Sequence, residues 1–342
     1  MRGLASAKWC YVTRRVATRQ RYTLGAFATP PRTGDLVVAR VSVVGGRGCL
    51  EDVFGRRGKL YPGDLVVGAC GNRYATDVYE GRHEPDQVAQ LLTSGGVIGT
   101  VVSRNSRSVP PTELQILGPL IDENQRPVSL EQFAEPCFPV QESVEQAPPC
   151  GALAVVGSSM NSGKTTTAAG LVKGWTGAGL VVGAAKVTGS GSGKDRWAYL
   201  DAGASHVLDF LDFGMPSTFG YPAERLATTM VAMRDGLVRE GAEAIVLEIA
   251  DGVLQPDTWT LVSELPRVCE GVVLAVGDAL AARAGADLLR SRGVRVVALS
   301  GLVAESPLAA REAAAVTGLP VVSAGQLACG TAVQLLASRT AS

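Results

Sequence analysis

Short apolar runs separated by turns dominate the first part of the chain. Between residues 35 and 122 these runs are "DLVVARVSVV", "GDLVVGACG", "GGVIGTVVSR" and "LQILGPLID", with glycine and proline between them. Runs of this length, broken by turn residues, are typical of β-strands in an all-β unit. The pattern predicts a β-rich N-terminal domain over residues 1–148, folded as a small barrel or a sandwich.

Beyond Gly151 the apolar runs alternate with helix-length segments. The runs are "ALAVVG", "LVVGAAKV", "EAIVLEIA", "GVVLAVG", "VRVVALSG" and "LPVVSAG", and helices are expected at 165–176 and 280–292. Strands buried on both faces, alternating with helices, form a mostly parallel sheet covered by helices on both faces. We therefore predict an α/β domain over residues 151–342, joined to the first domain by a linker at Pro148-Pro149-Cys150-Gly151.

The charge balance limits the kinds of partner. The chain has 342 residues, and its 32 Lys and Arg are matched by 32 Asp and Glu. A strongly basic surface is therefore not indicated, and we expect neither a nucleic-acid nor a membrane partner. No apolar run approaches the length that spans a bilayer. The first 34 residues carry seven basic residues and no acid, as in an organellar presequence. However, Trp9, Tyr11 and Val12 favour an edge strand.

Cysteine and histidine are placed without metal or disulfide spacing. The seven cysteines include no Cys-x-x-Cys pair, and only two histidines occur. The spacing therefore predicts neither a disulfide framework nor a zinc site, and a reducing cytoplasm is the expected location. The two histidines, His83 and His206, lie in a charged turn and beside apolar residues, so a Ser-His-Asp hydrolase is not expected either.

The segment "GSSMNSGKTTTA" carries the clearest chemistry. It follows the first strand of the α/β domain and opens the next helix, so backbone N–H groups and a helix N-terminus face one concavity that suits a phosphate chain. Lys164 is expected to reach the β- and γ-phosphates and Thr165 to bind Mg²⁺, as in a Walker A P-loop. The predicted phosphate-binding residues are Gly157, Ser159, Asn161, Ser162, Gly163, Lys164, Thr165 and Thr166. The loop is one residue longer than the common form.

Further charged residues follow other predicted strands. Lys186 ends "LVVGAAK" and precedes the Gly/Ser-rich "VTGSGSG", and Glu248 ends "EAIVLE". Open parallel sheets bind ligands at the carboxyl ends of their strands, so both side chains are candidates for a site there. Asp195 is a third candidate, for which Asp201, Asp209 and Asp212 are alternatives nearby in sequence. Asp251 is a second metal candidate, and Ser217 and Thr218 lie in a loop, "MPST".

Together these residues resemble the dethiobiotin synthetase group of P-loop enzymes over residues 151–327. The shared features are the longer loop, the Lys before a Gly/Ser-rich segment, an Asp soon after, a Pro-Ser loop and a strand-ending Glu. The resemblance implies that Lys164 and Lys186 are catalytic, stabilising phosphate charge, while Thr165, Asp195 and Glu248 bind Mg²⁺. The group's usual Glu-Gly-Gly or Glu-Gly-Gln is replaced here by "EIADG".

Two other resemblances point to different functions. "GKDRWAYLDAGA" is similar to a segment of the molybdopterin-guanine dinucleotide adaptor family, which implies nucleotide binding with little turnover. The two-domain layout and "DAGASHVLDFLDFG" resemble the uncharacterised P-loop family that includes D-glutamate N-acetyltransferases. That resemblance implies an N-acyltransferase whose loop holds acetyl-coenzyme A.

From these observations we expect an ATP- and Mg²⁺-dependent kinase or ligase of a small carboxylate-type metabolite. Mg²⁺, two lysines and backbone donors are what phosphoryl transfer requires. The acyltransferase and the adaptor stay open as alternatives. An Asn-Lys-x-Asp guanine motif is not found, which favours adenine. In the N-terminal domain, Asn72, Arg73, Tyr74 and Asp77 are candidates to face the site, and homo-oligomerisation stays open.

Overall fold

The computed structural model describes most of the chain as two compact units. The described residues are 4–16, 21–46, 48–84, 89–136 and 150–337. The first unit comprises Met1–Pro136, Gly189–Lys194 and Phe210–Gly220, and the second comprises Cys137–Thr188, Asp195–Asp209 and Tyr221–Ser342. Two segments from the later part of the chain thus belong to the first unit. Pro148 and Pro149 of the predicted linker lie outside the described residues.

The first unit is built on a barrel of short strands. Its strands are β1 (Lys8–Trp9), β2 (Thr23–Leu24), β3 (Leu36–Val43), β4 (Cys49–Glu51), β5 (Arg57–Lys59), β6 (Leu65–Cys70), β7 (Tyr79–Arg82), β8 (Ala89–Leu91), β9 (Val97–Arg104) and β10 (Thr112–Ile121). Antiparallel pairings run from β6 through β3, β10 and β8 to β9. Parallel pairing of β9 with β6 closes the ring. Of the two predicted alternatives, the structure has the barrel.

Alternating side chains fill the interior of this barrel. In the first half of β10, Thr112 and Leu114 are buried while Glu113 and Gln115 are exposed. A strand places successive side chains on opposite faces, so this alternation sends one set into the core. β4 and β5 pair with each other as a separate two-stranded hairpin.

The segment before the barrel differs from its prediction. Only Lys8–Trp9 forms an edge strand, parallel to β6. Tyr11–Thr13 instead forms a 3₁₀ turn in which all three side chains are buried. Consecutive buried residues do not fit a strand with one solvent face, and a tight turn directs them inward together.

The second unit is a parallel sheet covered by helices. Its strands are β11 (Gly151–Gly157), β12 (Val182–Lys186), β13 (His206–Asp209), β14 (Ala244–Ile249), β15 (Gly271–Ala275) and β16 (Val296–Ser300). Its helices are α1 (Lys164–Gly177), α2 (Lys194–Ala202), α3 (Ala223–Arg239), α4 (Pro256–Val262), α5 (Leu265–Val268), α6 (Ala279–Ser291), α7 (Pro307–Thr317), α8 (Ala324–Gln326) and α9 (Ala332–Ala337). Within the described residues the strand order is β13-β12-β14-β11-β15-β16, and every pairing is parallel.

One predicted strand is wrong, and a strand that was not predicted lies at the opposite edge of the sheet. "LPVVSAG" forms only a bridge between Val321 and Leu299. Pro320 cannot donate to a strand ladder, and Ser323 already caps α8, so too little chain remains for a strand. The strand that was not predicted is β13 (His206–Asp209), a short strand that pairs with β12 at the edge of the sheet.

Helix α1 is held on two sides. Leu171, Val172 and Trp175 belong to the buried core that includes residues of the sheet and of the C-terminal segment. The indole Nε1 of Trp175 donates to the carbonyl of Ala332 at 2.8 Å. These contacts fix the helix that begins at the phosphate-binding residues. No helix in the described part of the chain is both long enough and apolar enough to cross a membrane.

Candidate functional site

The loop between β11 and α1 has the backbone that a phosphate-binding loop requires. Gly163, directly before α1, has φ +99°, and Asn161 has φ +61°, so both adopt the left-handed region. A Cβ at position 157 would lie 2.5 Å from Ser162 Oγ, and a Cβ at position 163 would lie 2.8 Å from Gly301 Cα. Glycine is therefore required at both ends of the turn, as the motif predicted.

The lysine of this loop folds back over it. Nζ of Lys164 donates to the carbonyl of Ser159 at 2.7 Å and also to the carbonyl of Asp251. The residue is only 6% exposed. Burial lowers the pKa of Lys164 and outweighs the nearby carboxylates, such as Glu248, which raise it. The ammonium group is thus held by two neutral carbonyls in a position from which a phosphate oxygen would give it an anionic partner.

The three predicted metal ligands lie together. Oγ1 of Thr165 is 3.1 Å from Oδ1 of Asp195 and 3.2 Å from Oε1 of Glu248. Thr165 is in the first turn of α1, Asp195 is in the first turn of α2, and Glu248 is near the end of β14. Three separate elements of the second unit therefore bring one hydroxyl and two carboxylates to one point.

Lys186 joins the same cluster. It ends β12, beside Glu248 in the parallel register with β14. Its Nζ forms an ion pair with Asp195 and lies 3.4 Å from Oε1 of Glu248. Burial alone would lower the pKa of Lys186, but the charges of the two carboxylates reverse the effect and hold it above its ordinary value. The ammonium group stays protonated because it compensates two acids.

The sequence did not single out Tyr199. Its side chain is fully buried, and its hydroxyl donates to Oε2 of Glu248. Burial, and then the charge of Glu248, raise the pKa of this phenol, so it remains a donor. A signal was present, since Asp195 and Tyr199 are four residues apart and therefore share one face of α2.

The alternative acids have different surroundings. Asp212 is ion-paired with Arg14 at 2.7 Å and with Arg15 at 3.1 Å, all in the first unit. Asp201 is exposed on α2, whereas Asp251 presents its backbone carbonyl to Lys164. Asp209 is buried in β13 beside Lys186 in the parallel register, but Asp195 contacts Thr165 Oγ1 directly, at 3.1 Å. The choice between these two acids stays a prediction.

The residues fit a bound Mg²⁺ and a phosphate chain. Ser162 is buried, and its Oγ has no hydrogen-bond partner, which leaves a donor for an oxygen ligand within the loop. In the part of the chain that the structure describes, no group of three or more His, Cys, Asp or Glu side chains could hold a metal alone. Two carboxylates and a hydroxyl form a small oxygen set, and Mg²⁺ usually keeps waters and phosphate oxygens as further ligands.

The candidates in the barrel have structural partners. Arg73 is buried, donates to the carbonyl of Leu92 and lies with its guanidinium carbon 4.8 Å from the ring centre of Tyr79. Asn72 donates to the carbonyl of Phe219 at 2.9 Å, within the same unit. Their predicted part in the site stays a prediction.

Comparison with known proteins gives structural likenesses only. No protein-family model matches the chain, and no curated protein matches it. The signal recognition particle 54 kDa protein of Aeropyrum pernix K1, in complex with GDP, is 21% identical, with 58% of this chain and 51% of that chain covered and a TM-score of 0.38. This chain thus spans about half the length of that protein.

Two further solved structures have similar values. The cell division protein FtsY of Thermotoga maritima is 15% identical, with 60% of this chain and 74% of that chain covered and a TM-score of 0.36. A ParA family ATPase of Chlorobium tepidum TLS is 14% identical, with 56% and 95% covered and a TM-score of 0.34. In the described residues the second unit is an α/β domain whose six-stranded sheet is parallel, as predicted, and the loop between β11 and α1 lies at the carboxyl edge of that sheet.

Proposed function

We propose that the chain is an ATP- and Mg²⁺-dependent phosphoryl-transfer enzyme, a kinase or ligase that acts on a small carboxylate-type metabolite. The observation that carries this proposal is the convergence of Thr165, Asp195 and Glu248, with Lys186 bridging the two acids. A purely structural P-loop turn gives no reason for two carboxylates and a second lysine to meet beside its first helical residues.

The phosphate chain of the nucleotide would lie along residues 157–165. The backbone N–H groups of the loop and the N-terminus of α1 favour negative charge there. Lys164 would exchange the carbonyls of Ser159 and Asp251 for phosphate oxygens, and its charge would then have an anionic partner. Ser162 would donate its unpartnered hydroxyl to the same chain.

Thr165, Asp195 and Glu248 would hold Mg²⁺. When bound, the ion would neutralise charge on the phosphoryl group that is transferred. The protein's part is to orient the two carboxylates. Lys186 lies against both carboxylates, and the Tyr199 hydroxyl fixes Oε2 of Glu248, so that Oε1 faces Thr165.

The position and charge of Lys186 favour a negatively charged acceptor of the phosphoryl group. It ends β12 just before the Gly/Ser-rich loop, and its ammonium group remains charged in the cluster. A carboxylate placed beside it would be attracted and held near the transferable phosphoryl group. Attack by a carboxylate oxygen on the γ-phosphorus, with cleavage of the bond to ADP, would give an acyl phosphate and ADP. A later attack by an amine on that acyl phosphate, with release of phosphate, would make the enzyme a ligase.

Thermal unfolding with candidate ligands tests the nucleotide. A ligand at about a hundred times its Kd stabilises the folded state by about 2.7 kcal/mol. We expect Mg·ATP to raise the Tm of the wild type more than Mg·GTP does, and to leave the Tm of Lys164→Ala unchanged. Lys173→Ala is the matched control, because Lys173 is an exposed lysine on the same helix.

Two other outcomes of this experiment would contradict the proposal. Stabilisation by acetyl-coenzyme A alone, lost in Lys164→Ala, would assign the loop to the phosphates of the coenzyme and favour the acyltransferase. Stabilisation by Mg·ATP without ADP release in the presence of small carboxylates would favour a nucleotide-binding adaptor.

A further inference from the structure

A buried carboxylate of the first unit binds the Gly/Ser-rich loop that follows Lys186. Glu51, at the end of β4, is 1% exposed. Its Oε2 accepts from the backbone N–H of Gly193 at 2.9 Å and from Ser192 Oγ at 3.0 Å. Its Oε1 accepts from Ser94 Oγ at 3.1 Å and from Arg57 at 3.2 Å. One carboxylate therefore connects the hairpin, the barrel and the segment Gly189–Lys194, all within the first unit.

Close packing reinforces this anchor. A Cβ at Gly191 would lie 2.5 Å from Val12 Cγ1, and a Cβ at Gly95 would lie 2.2 Å from the carbonyl oxygen of Gly191. Thr93 Oγ1 donates to that same carbonyl at 3.1 Å. The glycines are needed for close approach, so the loop has little freedom to shift once Glu51 holds it.

The anchored loop has functional residues at both ends along the chain. Lys186 precedes Gly189 by three positions, and Asp195 follows Gly193 by two. Gly193 lies directly before α2, which begins at Lys194. The N–H group that Glu51 accepts is therefore at the start of the helix that carries Asp195 and Tyr199.

We propose that Glu51 is a positioning residue for the phosphoryl-transfer site. By fixing Gly193 it sets where α2 begins, and so where the carboxylate of Asp195 lies. This proposal rests on the function proposed above and assigns the β-rich unit a part in it. Glu51 itself is not required to touch the nucleotide, the metal ion or the acceptor.

The test compares three variants of the full chain. Glu51→Ala removes the carboxylate oxygens that accept from Ser192 and Gly193. Glu51→Gln keeps one oxygen for the Gly193 N–H but loses the charge and the second acceptor. Leu114→Ala destabilises the same unit from inside the barrel without touching the loop, because Leu114 is buried in β10. It is the control for a merely structural effect.

Hydrogen exchange of the peptide covering residues 187–198 gives the first readout. We expect exchange at Gly193 to be at least about tenfold faster in Glu51→Ala, with a smaller increase in Glu51→Gln. Leu114→Ala should leave this amide protected under conditions where the protein remains folded. Unchanged exchange at Gly193 in Glu51→Ala would contradict the claim that Glu51 holds this part of the loop in place.

Steady-state kinetics gives the second readout. We expect the maximal rate of Mg²⁺-dependent ADP release to fall by up to about a hundredfold in Glu51→Ala, because a displaced ligand costs orientation at the reacting group. The half-saturating Mg²⁺ concentration should rise, Glu51→Gln should be intermediate, and nucleotide affinity without Mg²⁺ should not change. Leu114→Ala should retain the wild-type Mg²⁺ dependence.

The two readouts separate the proposals. Faster exchange with an unchanged rate and Mg²⁺ dependence would overturn the positioning role while leaving the proposed function intact. A wild type with no Mg²⁺-dependent turnover on any nucleotide would overturn the proposed function, and the positioning role with it. In that case the exchange data alone would still decide whether Glu51 anchors the loop.

Discussion

Two Gly/Ser-rich loops follow parallel strands and lead into helices, but their shapes have different origins. The phosphate loop, residues 157–165, is shaped by its own glycines and by the lysine that folds back over it. The acceptor loop, Gly189–Gly193, is held by a carboxylate that lies 142 positions away from Gly193 in the sequence. The conformation of a loop that is defined by a local motif can therefore be predicted from sequence, whereas that of a loop held by a distant residue cannot.

The largest expected effects come from alanine substitutions at Gly157 and Gly191, one in each loop, which should impair different functions. In Gly157→Ala the new Cβ would lie 2.5 Å from Ser162 Oγ and 2.7 Å from Lys164 Cδ, so stabilisation by Mg·ATP should be abolished. In Gly191→Ala the new Cβ would lie 2.5 Å from Val12 Cγ1, so the acceptor loop should shift while nucleotide binding remains. Thermal shift with Mg·ATP and ADP release with small carboxylates measure the two effects.

Gly177→Ala is the control for this pair, because a Cβ there meets nothing within 4 Å. Equal loss of nucleotide binding in Gly157→Ala and Gly191→Ala would contradict the separation between the loops.

Replacing Lys186 should be the next largest effect. Lys186→Met leaves Asp195 and Glu248 close together without a cation, and it removes the charge expected to hold the acceptor. ADP release should fall about a hundredfold or more. Nucleotide binding should persist, and added Mg²⁺ should raise the Tm of this variant more than that of the wild type, since the ion replaces the missing positive charge.

Calorimetric titration of nucleotide, with the Tm measured in the presence and absence of Mg²⁺, checks this prediction. Loss of nucleotide binding in Lys186→Met would assign that lysine to the phosphate loop instead.

Removing the phenol of Tyr199 should have a more modest effect. In Tyr199→Phe, Oε2 of Glu248 loses its donor while the ring still fills the core. Loss of such an outer-shell partner typically weakens metal binding by about tenfold. The half-saturating Mg²⁺ concentration should rise accordingly, with no change in nucleotide affinity without Mg²⁺. Tyr61→Phe, at an exposed tyrosine, should leave both unchanged.

The smallest effect should appear in the pH dependence of stability. The pKa of Lys164 in the folded protein lies below its ordinary value of 10.5. The folded state therefore resists protonation of this lysine, and the wild type should gain stability relative to Lys164→Met as the pH rises towards 10.5. For Lys186, whose pKa is raised, the stabilisation is fully present below 10.5 and is lost only above it.

Denaturant unfolding between pH 7 and 10 tests both signs. A rising difference between wild type and Lys164→Met, with a flat difference for Lys186→Met, is the expected result. A flat stability difference for Lys164→Met together with a rising one for Lys186→Met would contradict the pKa directions of the two lysines.

The phosphate loop, five of the six parallel strands and the placing of Lys186 and Glu248 at strand ends were predictable from sequence, whereas Asp195 was chosen over nearby acids only through a family resemblance. The predictable features depend on local patterns and on the rule that parallel strands end at one edge of a sheet. Tyr199 was missed although its spacing from Asp195 carried the information. Glu51 gave no local signal, because an acid in a short hairpin is ordinarily solvated and only the folded chain brings Gly193 to it.

The division of the first unit along the chain has a consequence for its synthesis. Residues up to 136 leave the ribosome first, yet this unit also contains Gly189–Lys194 and Phe210–Gly220. Before residue 193 has been made, Glu51 has Ser94 and Arg57 but not Gly193, and before residue 212 has been made, Arg14 lacks its ion pair with Asp212. The strands of the barrel are therefore made early in translation, but the first unit is completed only after β13 of the second unit has been made.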